Sequence, residues 1–399
     1  MQQNGGPVLL VSNGGAEDLI GAALARELRV LGIEQLRALP LVGPGEAYQG
    51  VAERVGPVLA LPSGGFPFGS LSNLQADLRA GLIGTSLRQG QAALQQGSRA
   101  EQVIVIGDVY ALLVGTLAAR RKPGAGPRLP LTHLQPLVSR LYAEGMTLPD
   151  HLRELNALGA NRFMPWEIAL GRQARRVYTR DRASAGYLAR RGVNAVYRGS
   201  FAMDVLPAPD DTLAPLLDGR PVLALLPGGR GDARESLPIM LATAAGCPEF
   251  QALVAWPRPW DELPELPGWS VQVQSDGLAQ ACAAGTRVLL LRGAFSSVLH
   301  TARLAVGTAG TASEQAAGLG VPVVAFPTHG PQYTPGFARR QARLLGAALT
   351  VVAPDPLAVT AALRALHRPQ AHLHAALVGR DRIGAPGALP QIAAELLQP

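Results

Sequence analysis

The sequence predicts an α/β protein built as two doubly wound parallel-sheet domains, and three observations carry that expectation. Short apolar runs alternate with stretches whose apolar residues recur at helical spacing, the pattern of a parallel sheet with helices on both faces. A turn-rich segment, Leu206-Pro-Ala-Pro-Asp-Asp-Thr212, breaks the alternation, and a second series starts beyond it. The length, 399 residues, fits two domains of ordinary size better than one. The expected division is 1–205 and 206–365, with terminal helices over 366–399.

Taken in order, Pro7-Val-Leu-Leu-Val-Ser12 reads as the first strand and runs into Asn13-Gly14-Gly15. A helix follows over Glu17 to Leu31, with Leu19, Ile20, Ala23, Leu24 and Leu28 on one side and Gly32 as its C-cap. Further strands are expected at 58–61, 103–106, 129–132, 177–179 and 194–197, with helices between them at 71–95 and 111–119. Beyond the linker the strands are 222–226, 252–255, 270–273, 287–291, 304–306, 321–326 and 349–352. The proline-rich stretch from Trp256 to Pro267 reads as a surface loop, and the Ala/Leu-rich terminal helices as packing. In such sheets ligands bind outside the carboxyl ends of the strands, in a cleft at the topological switch point.

Composition removes several classes. Apolar residues are 48% and charged residues 16%, which excludes a disordered chain. Cys247 and Cys282 cannot build a disulfide framework or a four-ligand zinc site, and they point to a reducing, cytoplasmic compartment. The N-terminus lacks a charged n-region, and no apolar run approaches the roughly 18–20 residues that span a bilayer. Lys122 is the only lysine, and it sits in Arg-Arg-Lys-Pro rather than in a Walker A loop. Neither G-x-S-x-G nor H-E-x-x-H occurs.

Charge is uneven. Residues 118–200 hold fifteen Lys and Arg against five Asp and Glu, a local +10 in a chain that nets +7. That suggests a face for anionic lipid or a phosphorylated ligand. Aromatics are only 5%, with no stacking cluster there, so nucleic acid is not the expected partner.

Four places can carry chemistry. In Ser12-Asn-Gly-Gly-Ala-Glu-Asp18, Gly14 and Gly15 let backbone approach a ligand at a helix N-terminus. The same loop also reads as a tight turn with Glu17 and Asp18 as first-turn carboxylates. It is not G-x-G-x-x-G, so dinucleotide binding is not indicated. Val103-Ile-Val-Ile-Gly-Asp108 ends a buried strand on a carboxylate, which is either a general base for an attacking hydroxyl or a cap for the next helix. Leu225-Leu-Pro-Gly-Gly-Arg-Gly231 runs a strand into Gly228, Gly229 and Arg230, a nest plus guanidinium suited to phosphate.

The fourth place is Val306-Gly-Thr-Ala-Gly-Thr-Ala-Ser-Glu-Gln315. Its small residues lead to a helix start where N–H groups from Gly310, Thr311, Ala312 and Ser313 can cradle a diphosphate, with Glu314 placed for sugar hydroxyls. Ser313 and Glu314 equally suit a capping role. Two glycine-rich anion sites in one domain suit a diphosphate. The histidines are scattered, and His372-Leu-His374 puts its rings on different helix faces, so no metal site is expected.

These motifs, together with Gly199-Ser-Phe-Ala-Met-Asp204, resemble those of the lipid-A-disaccharide synthases. The phrase from Gly318 to Thr334 and Leu61-Pro-Ser-Gly-Gly-Phe66 look like the synthase-related subfamily, and the resemblance spans nearly the whole chain. It implies a GT-B fold: two facing Rossmann-like domains with a cleft between them, the last helices crossing back to the first. It implies an inverting transferase that moves a glucosamine-type hexosyl unit from a UDP-sugar to a lipid or glycolipid acceptor, with no metal or other cofactor.

By the same resemblance Asp108 matches the general base. Gly228, Gly229, Arg230 and Gly310 to Ser313 match diphosphate contacts, and Glu314, with Gln315 beside it, matches a donor-sugar contact. Gly14, Gly15, Glu17, Asp18 and Asp204 fall on the acceptor side. The chain departs from the pattern at Ser200, where the synthases have histidine, at Ala309, where they have serine, and at Gln315, where they place the acid. Two other readings stay open: a UDP-sugar 2-epimerase, and a non-catalytic lipid- or nucleotide-binding protein of the same fold.

A lipid acceptor implies peripheral association with an anionic membrane surface, at the inner face of the cytoplasmic membrane. Leu134, Leu137, Leu141, Tyr142, Phe163, Met164 and Trp166, interleaved in the basic segment, are the candidates for shallow insertion. A homodimer is compatible with all of these readings.

Overall fold

The computed structural model describes residues 6–57, 82–120, 126–154, 162–229, 231–330 and 332–398. Arg230, Lys122, the strand expected at 58–61, the motif Leu61–Phe66 and the first part of the helix expected at 71–95 lie outside these residues. The chain forms two compact units, Met1–Val205 with Pro386–Pro399, and Leu206–Ala385.

The first unit is a parallel sheet of seven strands among the described residues, in the order β3-β2-β1-β4-β5-β6-β7. Its strands are β1 (Val8–Ser12), β2 (Leu36–Pro40), β3 (Glu53–Arg54), β4 (Gln102–Ile106), β5 (Leu131–Gln135), β6 (Arg176–Thr179) and β7 (Ala195–Val196). β1 is buried at every position, as a central strand covered on both faces must be. It pairs with β2 through Val8 and Leu36 and with β4 through Val8 and Gln102. The sheet winds outward to β3, then returns past β1 to β4, so its direction reverses between β1 and β4. The helices are α1 (Gly15–Val30), α2 (Leu82–Gly97), α3 (Val109–Ala118), α4 (Leu148–Arg153), α5 (Pro165–Gly171), α6 (Arg182–Ala189) and α7 (Phe201–Asp204).

The sequence pattern does not reveal β2 and β3, because Leu36-Arg-Ala-Leu-Pro40 and Glu53-Arg54 are too short and too charged to show a period. β5 starts two residues later than expected. Its His133 and Gln135 are buried, which interrupts the apolar run without ending the strand.

The second unit is an eight-stranded sheet, β10-β11-β12-β9-β8-β13-β14-β15. The strands are β8 (Val222–Leu226), β9 (Gln251–Ala255), β10 (Ser270–Val273), β11 (Leu278–Ala283), β12 (Thr286–Leu291), β13 (Ala302–Gly307), β14 (Val323–Ala325) and β15 (Leu349–Val351). Between them run α8 (Ala233–Ala245), α9 (Phe295–Thr301), α10 (Gly310–Leu319), α11 (Pro335–Leu345), α12 (Pro356–His367) and α13 (Pro369–Ile383).

Here the uniform strand–helix alternation does not hold. β10, β11 and β12 pair antiparallel, joined by connections far too short for a crossover. Ala284 and Gly285 turn the chain with φ of +43° and +82°. The expected surface loop at 256–267 also contributes to the core: Trp256 and Leu266 are buried in the apolar cluster that holds Val254 and Met240.

The chain's last helix, α14 (Ala388–Leu396), belongs to the first unit, where Leu389, Ile392, Ala393 and Leu396 join the core of Val8, Leu10, Ile20 and Leu24. Polar groups hold both of its ends. Asp204 accepts the N–H groups of Gly387 at 2.5 Å and Leu389 at 2.8 Å, so its carboxylate sits on the positive end of the helix. Glu395 accepts from Arg176 at 2.7 Å, Arg198 at 2.5 Å and the Tyr178 hydroxyl at 2.9 Å.

The basic segment is thus tied inward. Arg172 donates to the Arg191 carbonyl and Arg175 to that of Gln398, while Arg140 and Arg191 lie over the Tyr187 ring. Leu134, Tyr142 and Phe163 are core residues, and Leu137, Leu141 and Met164 are half-buried, which leaves only Trp166 exposed among the residues expected to insert.

Removing either anchor of α14 is expected to loosen it. Asp204→Ala and Glu395→Gln should each lower the unfolding free energy by about 1–2 kcal/mol. Hydrogen exchange should rise across 386–398. Exchange unchanged in both variants would show that the apolar face alone holds the helix.

Candidate functional site

In the first unit the switch point brings the ends of β1 and β4 together. Asp108 caps α3: its Oδ1 accepts the N–H groups of Tyr110 at 2.9 Å and Ala111 at 3.2 Å, and the Asn13 amide at 2.8 Å. Its Oδ2 accepts nothing among the described residues. Of the two sequence readings of Asp108, the capping role is the one seen here, and it occupies one oxygen only. Gly107 makes this possible. With φ of +147°, a Cβ there would stand 1.8 Å from Asn13 Oδ1.

Behind this pair, buried His133 donates Nε2–H to the Gly107 carbonyl at 2.9 Å. Burial pushes its pKa down to about 4, so the ring is neutral with Nδ1 unprotonated. Gln135 donates to Glu167 at 2.6 Å and accepts from the N–H groups of Leu137 and Val138. His133, Gln135, Glu167 and Phe163 line a small cavity. Burial raises Asp108 to about 6 against the pull of its N–H donors, and raises Glu167 to about 7, with the charge of Asp108 adding to it. The sequence reading missed Asn13, Gln135 and Glu167. The only signal was polar residues inside otherwise apolar elements.

The first glycine loop behaves differently from expectation. Gly14 is extended and a Cβ on Gly15 would meet nothing, so the backbone there does not demand glycine. Glu17 and Asp18 are both buried. Asp18 accepts the Ser12 hydroxyl at 2.5 Å, and Tyr48 donates to Ser12 at 3.0 Å. Burial raises Asp18 to about 6. Asp204 is not part of this group, because it caps α14.

In the second unit the direction of winding reverses between β8 and β13, and the two glycine loops leave the sheet side by side. Gly228 has φ of +77°, and a Cβ on it would lie 3.0 Å from that of Ala309. Thr308 donates its N–H to the Leu226 carbonyl at 3.1 Å. Ala309 is the N-cap of α10 and offers no side-chain cap, so the N–H groups of Gly310, Thr311 and Ala312 have no helical partner. Ser313 does not belong with them: its N–H donates to the Ala309 carbonyl at 3.1 Å, and its buried side chain lies toward Gly307. Gly229 is held from the other side by Arg258, which donates to its carbonyl at 2.9 Å.

Glu314 and Gln315 are buried in the next turn, and Glu314 accepts from the Gln341 amide of α11 at 3.0 Å. The loop after β14 closes over this region through Asp232, which accepts the Thr328 hydroxyl at 2.6 Å and the Tyr333 N–H at 2.9 Å. Asp232, Arg258 and Gln341 carried no sequence signal, since their partners lie far away along the chain.

No family model matches the chain, and neither does any curated protein. Solved structures do. A calicheamicin glycosyltransferase matches over 99% of this chain and 98% of its own, with 16% identity and a TM-score of 0.61. UDP-GlcNAc 2-epimerase from Neisseria meningitidis, bound to UDP-GlcNAc, matches over 98% and 99%, with 15% identity and 0.57. The S. aureus MnaA–UDP structure matches over 98% and 96%, with 14% identity and 0.58. At these identities the likeness is one of fold, and the chain has the GT-B fold.

The buried carboxyl groups set a pH dependence. Asp18, Asp108 and Glu167 have folded pKa values above their ordinary ones, so between about pH 4 and 7 the folded chain keeps protons that the unfolded chain has released. Their effect is to lower stability as pH rises through that window, with the full cost present above it. Glu167→Gln removes one titration and should make the loss of unfolding free energy between pH 5 and 8 smaller by about 2 kcal/mol. Urea unfolding at the two pH values measures this, and an unchanged difference would mean that Glu167 does not titrate in the fold.

Proposed function

We propose that the chain acts on a UDP-sugar, transferring its glucosamine-type hexosyl unit with inversion to a lipid-linked acceptor. The observation that carries this reading is the uncapped start of α10 lying against the Gly228 loop at the β8/β13 switch point. Three N–H groups at the positive end of a helix, beside a left-handed glycine, suit a diphosphate. In the mechanism we infer, Oδ2 of Asp108 takes the proton of an acceptor hydroxyl, whose oxygen attacks the anomeric carbon. The bond to the diphosphate breaks on the opposite face, and UDP leaves with the negative charge. The α10 N-terminus, with Arg230, stabilises that charge, an effect worth several kcal/mol when the dipoles are fixed in advance.

UDP-GlcNAc 2-epimerases share the fold over the full length, which favours a second reading. That reaction needs no acceptor. Purified protein that converts UDP-GlcNAc alone would establish it.

Calorimetry should show UDP binding to wild type and at least tenfold weaker binding to Gly228→Val, whose side chain collides with Ala309. Asp108→Asn should keep UDP affinity while turnover falls about 100-fold or more. No UDP binding by wild type overturns the reading. Unchanged turnover in Asp108→Asn removes Asp108 from the chemistry.

A lipid-linked acceptor places the reaction at an anionic membrane surface, on the cytoplasmic side in this reading. No described helix is long and apolar enough to cross a membrane. Leu148, Leu152 and Trp166 of the basic segment are 72%, 61% and 56% exposed. They replace the buried residues as candidates for insertion. Wild type should float with anionic liposomes at low salt, and Leu148→Glu with Leu152→Glu should reduce the floated fraction severalfold. Equal recovery with neutral and anionic lipid would end the membrane part of the proposal.

A further inference from the structure

Gln341 is 1% exposed, and its amide is only half used. Nε2 donates to Glu314 at 3.0 Å, but Oε1 has no partner among the described residues. A buried acceptor left unpaired costs about 1–3 kcal/mol. Methionine would fill the same space at lower cost, so packing alone does not explain an amide here.

Position gives the reason. A Cβ on Gly310 would stand 2.8 Å from Phe337 and 3.5 Å from Gln341 Nε2, so the amide lies beside the first residue of α10. Side chains on a helix lean toward its N-terminus, which brings the Glu314 carboxylate back along the same face. An anionic group drawn toward an anion-binding helix end needs a donor to fix it, and Gln341 supplies one.

We propose that Gln341 is a positioning residue for donor-sugar recognition. Its amide holds the Glu314 carboxylate near the open end of α10, where that carboxylate accepts hydroxyls of the sugar to be transferred. The inference rests on the UDP-sugar reading and separates recognition of the sugar from recognition of the diphosphate. In that reading the diphosphate is taken by backbone N–H groups, while the Gln341 amide hydrogen-bonds to the Glu314 carboxylate.

The test is calorimetric titration of UDP and of UDP-GlcNAc against wild type, Gln341→Met, Glu314→Gln and the double variant, with a melting curve for each. Gln341→Met should bind UDP within twofold of wild type and UDP-GlcNAc about tenfold more weakly, without a lower melting temperature. In the Glu314→Gln background, Gln341→Met should change UDP-GlcNAc affinity by less than twofold, because the residue acts through Glu314. Parallel loss of both ligands, additive losses in the double variant, or no change in either ligand overturns the role. If wild type binds neither nucleotide, the UDP-sugar reading itself fails and this inference falls with it.

Discussion

A parallel strand can be followed by another only if the chain crosses the sheet and begins again at the same edge. Every loop that leaves a carboxyl end therefore leads toward a helix start, and a reversal of winding direction sets two such loops apart with space between their helices. Both units obey this constraint where their strands run parallel. In the first it puts Asn13 beside Asp108, and in the second it puts Gly228 beside Ala309. The first pairing presents a carboxylate and the second presents N–H groups that have no partner in their own helix. One geometry thus yields two opposite electrostatic environments, decided by which residues follow the strand.

Close approach is what the glycines at these junctions provide, and they do so unequally. Gly107 and Gly228 occupy left-handed conformations where a side chain would strike the neighbouring loop, so their identity is fixed by geometry. Gly14 and Gly15 resemble them as sequence and not as structure. Burial then shapes the chemistry. Asp108 receives three N–H donors, which alone would hold a carboxylate well ionised, yet desolvation prevails and leaves it poised near neutrality.

What was legible in the sequence follows from range. The strands β1, β4, β8 and β13 each contain a continuous apolar run, so their ends, and with them Asp108 and the Gly228 and Gly310 loops, were legible in the sequence. Of the β10–β12 ribbon, the strands at 270–273 and 287–291 were legible, but β11, an Ala- and Gln-rich run without β-branched residues, was not, and neither was the antiparallel pairing it makes with both. Residues that act through distant partners were invisible. Asn13 meets Asp108 across 95 positions, and Asp232 meets Tyr333 across 101.

The basic segment shows why a charge count is a weak guide to surface. Its local +10 is arithmetically correct, but the count takes no account of partners elsewhere in the chain. Two of its arginines converge on Glu395, which lies about 200 residues further on, and others stack on tyrosines of the segment itself. Arginine suits this use because its flat, weakly hydrated guanidinium can bind a carboxylate in the fork and an aromatic ring on the face. Part of what the count assigns to an outward field is thus fastening: Arg175, Arg176 and Arg198 hold the α14 segment on the first unit, and Arg180 and Arg191 lie over tyrosine rings.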